Sequence, residues 1–457
     1  MKRKETYTGE VLRSVFPDTG IVSVDGRDVH IKHALRGQTV RFSITKVRQS
    51  KCEGRLLEVL EKAADEEPSS CPRFDDCGGC AYRNLSYDAE LALKENQIRE
   101  LLADAYKNID NADYEFQPIH RSPLENGYRN KMEFTFGDEY KDGPLSLGLH
   151  KRNGFYDIVP VRECGIINED YRKILCCTLD YFQEQNIPYY HRMRHTGYLR
   201  HLLVREGHKT GEILIDLVTT TEGGYDDVPW VSRLFELKLD GEITGILHTY
   251  NNSLSDTITD GGTKILYGHD FFDEELLGLK FRITPFSFFQ TNSAGAEVLY
   301  STVRDYIGDT SDKEIFDLYC GTGTIAQILA EKARKVTGVE LVEEAVEAAK
   351  HNAVRNGLDN CTFIAGDVKT VMESLDGSPD LIVLDPPREG VHPRALTEVI
   401  GYGAEKIVYV SCKPTSLVRD LKILEANGYH LVKATAVDLF PRTGHVETVV
   451  LLSRNSK

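Results

Sequence analysis

Short apolar runs separated by turn residues fill the first sixty positions. Glu10-Val11-Leu12, Gly20-Ile21-Val22-Ser23-Val24, Val29-His30-Ile31 and Val40-Arg41-Phe42-Ser43-Ile44 stand between turn signals, and Asp25-Gly26 between two of them marks a hairpin. Several short strands in so short a span predict a small closed β-barrel over residues 1–61. Barrels of the oligonucleotide-binding kind hold single strands on a strand face and its loops. Residues 61–70, acidic and then Pro/Ser-rich, read as a linker. Three closely spaced cysteines follow. From Ser86 to about Tyr106 the pattern is helical, with Leu91, Ile98, Leu101 and Leu102 on one side. From about Glu115 to Thr284 it is mostly strand-like, as in Lys131–Phe136 and Glu212–Val218. A central, mostly-β domain is therefore expected over residues 71–284.

From about residue 285 strand-like runs alternate with helical ones. Lys313–Leu318 precedes a helix over Thr324–Lys332, and Val336–Glu340 precedes one over Val342–Asn356. The runs Cys361–Ile364, Leu381–Leu384 and Lys406–Val410 follow. This alternation predicts a doubly wound, Rossmann-like α/β domain with a largely parallel sheet over 285–457. No internal repeat of fixed period occurs. The expected fold is thus multidomain.

Composition narrows the function. A chain of 457 residues is too long for one compact core, and 41% hydrophobic with 28% charged residues describes an ordinary globular protein. No run of about eighteen apolar residues occurs, so no membrane span is expected. The opening MKRKETYTGE lacks an apolar stretch behind its charges, so no secretory leader is expected and the protein reads as cytoplasmic. The ten cysteines then belong in a reducing compartment, where metal binding and catalysis outrank disulfides. The net charge of −16 argues mildly against a nucleic-acid partner, yet it is uneven: residues 1–62 carry 13 basic and 8 acidic side chains. A basic module on an acidic body suggests contact with a polyanion. No obligate protein partner is inferred.

The candidate chemistry lies on the last domain. Asp317-Leu-Tyr-Cys-Gly321-Thr-Gly323-Thr324 links a strand to a helix, and its glycines let the backbone approach a ligand at a helix N-terminus. Glu340, ending the next strand 19 residues after Gly321, can accept hydrogen bonds from ribose hydroxyls. The glycines also fit a dinucleotide fingerprint, which keeps an NAD-dependent oxidoreductase as a competing reading. Asp317 favours S-adenosylmethionine, because a carboxylate there suits a cationic methionine end better than a pyrophosphate. Asp385-Pro-Pro-Arg388 ends an apolar strand at the edge of the sheet where ligands bind. Ser411-Cys412-Lys413-Pro414 ends another, with Pro414 opening a helix through Leu417, Leu421 and Leu424 to Gly428. A thiol near a helix N-terminus and beside Lys413 has two reasons to ionise. A thiolate added to carbon 6 of uracil turns carbon 5 into a nucleophile, and a base must afterwards remove the carbon 5 proton. Glu447, in Phe440–Glu447, is the candidate base.

Phe289-Gln290-Thr-Asn292, Asp317–Gly323, Asp385–Arg388, Ser411–Pro414 and His445-Val-Glu447 occur in the order seen in the RNA uracil-5-methyltransferase family, which the chain resembles over its whole length. The N-terminal barrel is similar to the TRAM module. The cysteine pattern resembles the iron–sulfur members that modify large-subunit (23S) ribosomal RNA. The resemblance implies methylation of carbon 5 of an RNA uridine with Cys412 as nucleophile and Glu447 as base. It implies cofactor contacts by Gln290, Tyr319, Thr324, Glu340, Asp367 and Asp385, and places Phe288 where a ring can stack near a flipped base. Lys413 stands where Asn is more usual, and Thr324 where several members carry Asn.

Cys71, Cys77 and Cys80 are spaced for tight wrapping, with glycines that can supply N–H···S bonds; on spacing alone a 4Fe–4S cluster and zinc are equally open. The resemblance implies the cluster and adds Cys164 as its fourth ligand. The basic segments Tyr128–Lys131 and Leu199–Arg205 are candidates to grip phosphates. The uridine must leave its stack to meet Cys412, so single-stranded loops are the expected substrates. Two further readings stand beside this one, a transfer-RNA substrate and a noncatalytic RNA-binding protein with a cysteine-held metal.

Overall fold

The hairpin at Asp25-Gly26 forms. Both residues take left-handed backbone angles, φ 52° and 74°, and Val24 pairs with Arg27 across the turn. The structure, a computed structural model, describes residues 1–454 apart from 49–50, 108–112, 155, 256, 259–260 and 376, so the last three positions of the expected 285–457 domain lie outside the described residues. The hairpin belongs to a six-stranded sheet of Thr6–Glu10, Arg13–Val15, Thr19–Val24, Arg27–Lys32, Thr39–Val47 and Cys52–Glu61. The two ends of its strand order, Thr6–Glu10 and Arg13–Val15, are consecutive in the chain. The sheet therefore curls closed around Val11, Val22, Val29, Ile31, Val40, Phe42 and Ile44.

The acidic stretch after the barrel is not a loose linker. One oxygen of Glu66 accepts hydrogen bonds from Gln38 Nε2 and the Ala63 N–H, and the other accepts from Asn84 Nδ2. This carboxylate ties the barrel to the chain beyond the cysteines, which its charge alone did not reveal.

The C-terminal half forms the predicted doubly wound sheet. Its strands run in the order Cys361–Ala365, Lys335–Glu340, Glu314–Leu318, Leu381–Leu384, Lys406–Ser411, Glu447–Arg454, Tyr429–Val437 and Glu115–Phe116. The first five are parallel, and Glu447–Arg454 is antiparallel to both neighbours. Alternate residues feed two cores: Ile315, Val336, Val383 and Val408 face helices Ser293–Ile307, Thr324–Ala330 and Glu343–Arg355. Phe316, Val339, Ile382 and Tyr409 face helices Tyr87–Tyr106, Val368–Ser374, Pro393–Gly401 and Pro414–Ala426. Burial on both faces explains why Leu381–Leu384 and Ile407–Val410 read as unbroken apolar runs.

The stretch 71–284 is shared between two bodies. Lys131–Asp138, Leu145–His150, Ile158–Pro160, Leu199–Glu206, Glu212–Thr219, Glu242–Tyr250 and Thr263–Gly268 form a separate seven-stranded sheet. Helix Tyr87–Tyr106, however, buries Ile98 and Leu102 against the C-terminal sheet, and Glu115–Phe116 pairs with its edge strand. The hairpin Phe272–Ile283 likewise packs into that half. Two helices escaped the strand-rich reading, Glu169–Glu184 and Val228–Phe235. The first had a legible signal: Asn168 caps it by accepting from the Tyr171 N–H, and Tyr171, Ile174, Leu175, Leu179 and Phe182 share one buried face. Among the described residues no helix is long and apolar enough to cross a membrane.

Candidate active site

Strand direction gathers the site. The parallel strands Glu314–Leu318, Lys335–Glu340, Leu381–Leu384 and Lys406–Ser411 all end at one edge of the sheet, delivering Tyr319, Glu340, Asp385 and Cys412 there. The winding of the chain reverses between Glu314–Leu318 and Leu381–Leu384, the switch point where such sheets open a crevice. Glu447 reaches the same edge by the opposite route. Its strand is antiparallel, and Thr448 pairs with Ser411, so the strand starts where its neighbour stops. Gln290, Tyr319, Thr324, Glu340, Asp367, Asp385, Cys412 and Glu447 all line one cleft, together with Phe288.

The glycine loop forms the floor of one end. Tyr319, Gly321 and Gly323 all have left-handed backbone, with φ of 67°, 54° and 73°. A Cβ on Gly323 would stand 2.6 Å from Phe363, so only glycine fits there. Glu340 braces the loop: its Oε2 accepts from the Gly321 N–H and its Oε1 from the Val342 N–H, each at 3.0 Å. Asp367 caps helix Val368–Ser374 by accepting from the Lys369 N–H at 2.9 Å. Asp317 is fully buried, and neither of its oxygens makes a hydrogen bond of ordinary geometry with a described residue. Burial, then Asp385, push its ionisation well above the usual carboxylate value. Contrary to the sequence expectation, Asp317 is not among the residues that line the cleft, and the Ala326 N–H opposes the rise in its ionisation; the cleft itself offers the carboxylates of Glu340, Asp367 and Asp385, which suit the hydroxyls and the cationic end of a nucleoside cofactor. The residues present therefore fit S-adenosylmethionine.

At the other end, where Cys412 and Glu447 stand, three acidic groups crowd together. Burial raises Asp385 to about 7. Burial first, then Asp385, raise Glu447 to about 8, while Arg388 opposes them. Burial first, then Glu447 and Asp385, push the Cys412 thiol up to about 11, again against Arg388. This corrects one expectation. Lys413 is exposed and stands at the cap of helix Pro414–Ala426, but the cation acting on Cys412 is Arg388, and the free protein holds the thiol protonated. Phe288 and Phe286 project from the loop before Gln290, 67% and 40% exposed.

Motif reading left other lining residues without a role. Tyr300, from helix Ser293–Ile307, lines the cleft and is hydrogen-bonded to Gln290. It sits in an amphipathic helix with no motif to flag it. His445 and Arg388 also line the cleft, within motifs quoted for other residues. Arg129 and Lys131 do so too, consistent with a phosphate role. The second basic segment differs. Arg205 is buried and donates to the carbonyls of Thr284, Pro285 and Ser287, and Arg200 to those of Asn251, Ser253 and Ser255. These guanidiniums staple loops and are not available to phosphates.

Cys71, Cys77, Cys80 and Cys164 line a second, smaller cavity with Phe74, Arg83 and Leu149. The Gly79 N–H points at Cys77 Sγ, 3.4 Å away. Burial raises the thiols of Cys77 and Cys164, and that of Cys80 to about 11. Among the described residues no three His, Cys, Asp or Glu side chains are arranged to hold a metal ion. Gly79, Leu149 and Ile166 line both this cavity and the main cleft.

The strand order, the glycine loop at its switch point and the acidic edge define an S-adenosylmethionine-dependent methyltransferase fold. A family model described as tRNA (Uracil-5-)-methyltransferase matches residues 257–455. An uncharacterized RNA methyltransferase of Clostridium tetani is 48% identical over 99% of both chains, and one of Caldanaerobacter subterraneus is 46% identical over the full length of both. Among solved structures, the Pyrococcus abyssi tRNA (uracil-54, C5)-methyltransferase in complex with S-adenosyl-L-homocysteine superposes with a TM-score of 0.76. It is 26% identical and covers 98% of this chain and 100% of its own. The chain belongs to the RNA uracil-5-methyltransferase family and is an RNA methyltransferase.

Proposed function

We infer that this chain methylates carbon 5 of a uridine in 23S ribosomal RNA through a covalent adduct on Cys412. The observation that carries the mechanism is the meeting of Cys412, Glu447 and Asp385 at one sheet edge beside the glycine loop. Gln290, Tyr319, Thr324, Glu340, Asp367 and Asp385 hold S-adenosylmethionine, which when bound supplies an electrophilic methyl group. Cys412 Sγ, after its proton has passed to solvent water, bonds to carbon 6 of the flipped uracil, and the electron pair of the 5,6 double bond moves into an enolate. After carbon 5 has gained the methyl group, Glu447 takes the carbon 5 proton. The freed electron pair restores the double bond and expels the thiolate. A buried carboxylate raised to about 8 suits this task, because its basicity lies near working pH. Phe288 offers a stacking face at the cleft mouth, and Arg129 and Lys131 offer charge for phosphates.

Cys71, Cys77, Cys80 and Cys164 are proposed to hold a 4Fe–4S cluster. Their donor set is all thiol, with an N–H aimed at Cys77 Sγ. Zinc needs all its ligands within about 2.3 Å of one point. The choice of a cluster over zinc rests on the resemblance of the cysteine pattern to the iron–sulfur members of the family. The cluster supplies no redox step to methyl transfer; its residues hold the chain between the barrel and the cleft.

The ribosomal assignment rests on the cysteines and the basic barrel. A transfer-RNA substrate is the second reading, favoured by the similarity to the Pyrococcus abyssi enzyme over nearly the whole chain. Incubation with labelled S-adenosylmethionine and unmodified ribosomal or transfer RNA, followed by nucleoside mass spectrometry, separates the two. Labelled 5-methyluridine is expected in ribosomal RNA. Label only in transfer RNA overturns the substrate, and label in another nucleoside overturns the mechanism.

A further inference from the structure

The loop 438–446 brings Thr443 and His445 to the cleft and leads directly into Glu447. Within it Arg442 has φ 71°, a left-handed conformation that a side-chain-bearing residue keeps only where its surroundings impose it. The surroundings are unusual. Lys94, on helix Tyr87–Tyr106, is fully buried, and its ammonium donates to Glu90 Oε1 at 2.8 Å, Asp438 Oδ1 at 2.7 Å and the Phe440 carbonyl at 3.2 Å. Glu90 Oε1 also accepts from the Arg442 N–H at 2.7 Å. The Arg442 carbonyl accepts from the N–H groups of Ala81 and Tyr82, which directly follow Cys80. The Tyr82 hydroxyl donates to Pro17 O of the barrel at 2.6 Å. Pro17 O also lies 2.8 Å from where a Cβ on Gly444 would stand, so the barrel turn rests on the loop itself. The Tyr128 hydroxyl, from the segment entering the central sheet, donates to Pro441 O at 2.9 Å.

Barrel, cysteine segment, first long helix and central sheet thus all end on one loop, and that loop leads to Glu447. A buried ammonium between two carboxylates is tolerated only when every partner is in place. The clamp therefore has one arrangement, and a misplacement of about 1 Å at a reacting group costs on the order of a hundredfold in rate.

We propose that Lys94 and Tyr128 are positioning residues for proton removal: they fix the 438–446 loop so that Glu447 faces the carbon 5 proton of the Cys412-bound uridine. The N-terminal half then acts on the chemistry as well as on RNA binding. This rests on the reading of Glu447 as the base. A residue needed only for stability would lower adduct formation and turnover together. A residue that positions the base slows release from the adduct, so adduct accumulates while turnover falls.

The test compares Tyr128→Phe, Lys94→Met and Glu447→Gln in the full-length protein. Turnover on RNA, the fraction of RNA in a denaturation-resistant protein adduct and S-adenosylmethionine affinity are measured for each. Tyr128→Phe keeps the buried ring and removes one hydrogen bond, so it decides the matter if Lys94→Met does not fold. Expected are roughly tenfold slower turnover for Tyr128→Phe, a raised adduct fraction approaching that of Glu447→Gln, and unchanged cofactor affinity. Adduct in Glu447→Gln with none above parent level in Tyr128→Phe overturns the positioning role alone. Absence of adduct in Glu447→Gln overturns the base and, with it, this proposal.

Discussion

Replacing Glu447 by Gln probes the electrostatics of the cleft without RNA or cofactor. In the folded protein the Glu447 carboxyl ionises at about 8, against a usual value of 4.5, chiefly because it is buried and secondly because Asp385 stands beside it. Between those two pH values the folded chain keeps a proton that the unfolded chain has lost. The stabilisation from that proton is fully present below pH 4.5, declines as the pH rises and is gone above 8. At about 1.4 kcal/mol per pH unit, the interval is worth on the order of 5 kcal/mol. An amide of the same shape does not ionise, so the variant escapes this loss. Asp385 titrates in both proteins, and its contribution largely cancels in the comparison. Urea unfolding of parent and Glu447→Gln at pH 5, 7 and 9 is the assay. The variant is expected to gain on the parent from pH 5 to 9, with the gap levelling off above 8. Parallel curves across that range would refute the perturbed carboxyl, and with it the match between basicity and role.

Other outcomes follow from the same geometry. Cys412→Ala is expected to abolish turnover while S-adenosylmethionine still binds, as read by calorimetry; retained turnover removes the nucleophile. In the free protein, alkylation of Cys412 should still accelerate above pH 9, because the thiol ionises at about 11; a plateau by pH 8 shows a thiolate already formed. Gly323→Ala forces a side chain onto Phe363 at a left-handed position, so a loss of about 1–3 kcal/mol and weakened cofactor binding are expected in thermal unfolding and titration. Anaerobically purified protein should absorb in the visible and carry iron, and Cys77→Ala should lose both; stoichiometric zinc in the colourless parent overturns the cluster.

Local chemistry was legible wherever one short segment carried a complete signal. Asp25-Gly26 announced its hairpin because both residues tolerate positive φ. Leu381–Leu384 and Lys406–Val410 were readable because burial on both faces leaves no polar alternation. The glycine loop, Asp385-Pro-Pro-Arg388 and the strand ending at Cys412 likewise gave their own places at the edge of a sheet. Signals failed where a charge had to be judged without its surroundings. Arg200 and Arg205 read as phosphate contacts, but each satisfies three carbonyls of loops some fifty or more positions away. Lys413 read as the activator of Cys412 because it is adjacent in sequence, yet the opposing cation is Arg388, from the loop after the neighbouring parallel strand.

The sequence by itself determined the parts: a basic barrel, a group of closely spaced cysteines, a glycine loop, a candidate nucleophile and a candidate base. Each is a matter of residue type, spacing and backbone preference, which act over a few positions. Tertiary structure alone decided how these parts act on one another. The pairing of Thr448 with Ser411 sets Glu447 beside Cys412, and a run of buried bonds from Pro17, Tyr82, Lys94 and Tyr128 closes on the loop before it. Burial and proximity set the ionisation of Cys412, Asp385 and Glu447, and both depend on which distant strands and helices exclude water from the cleft.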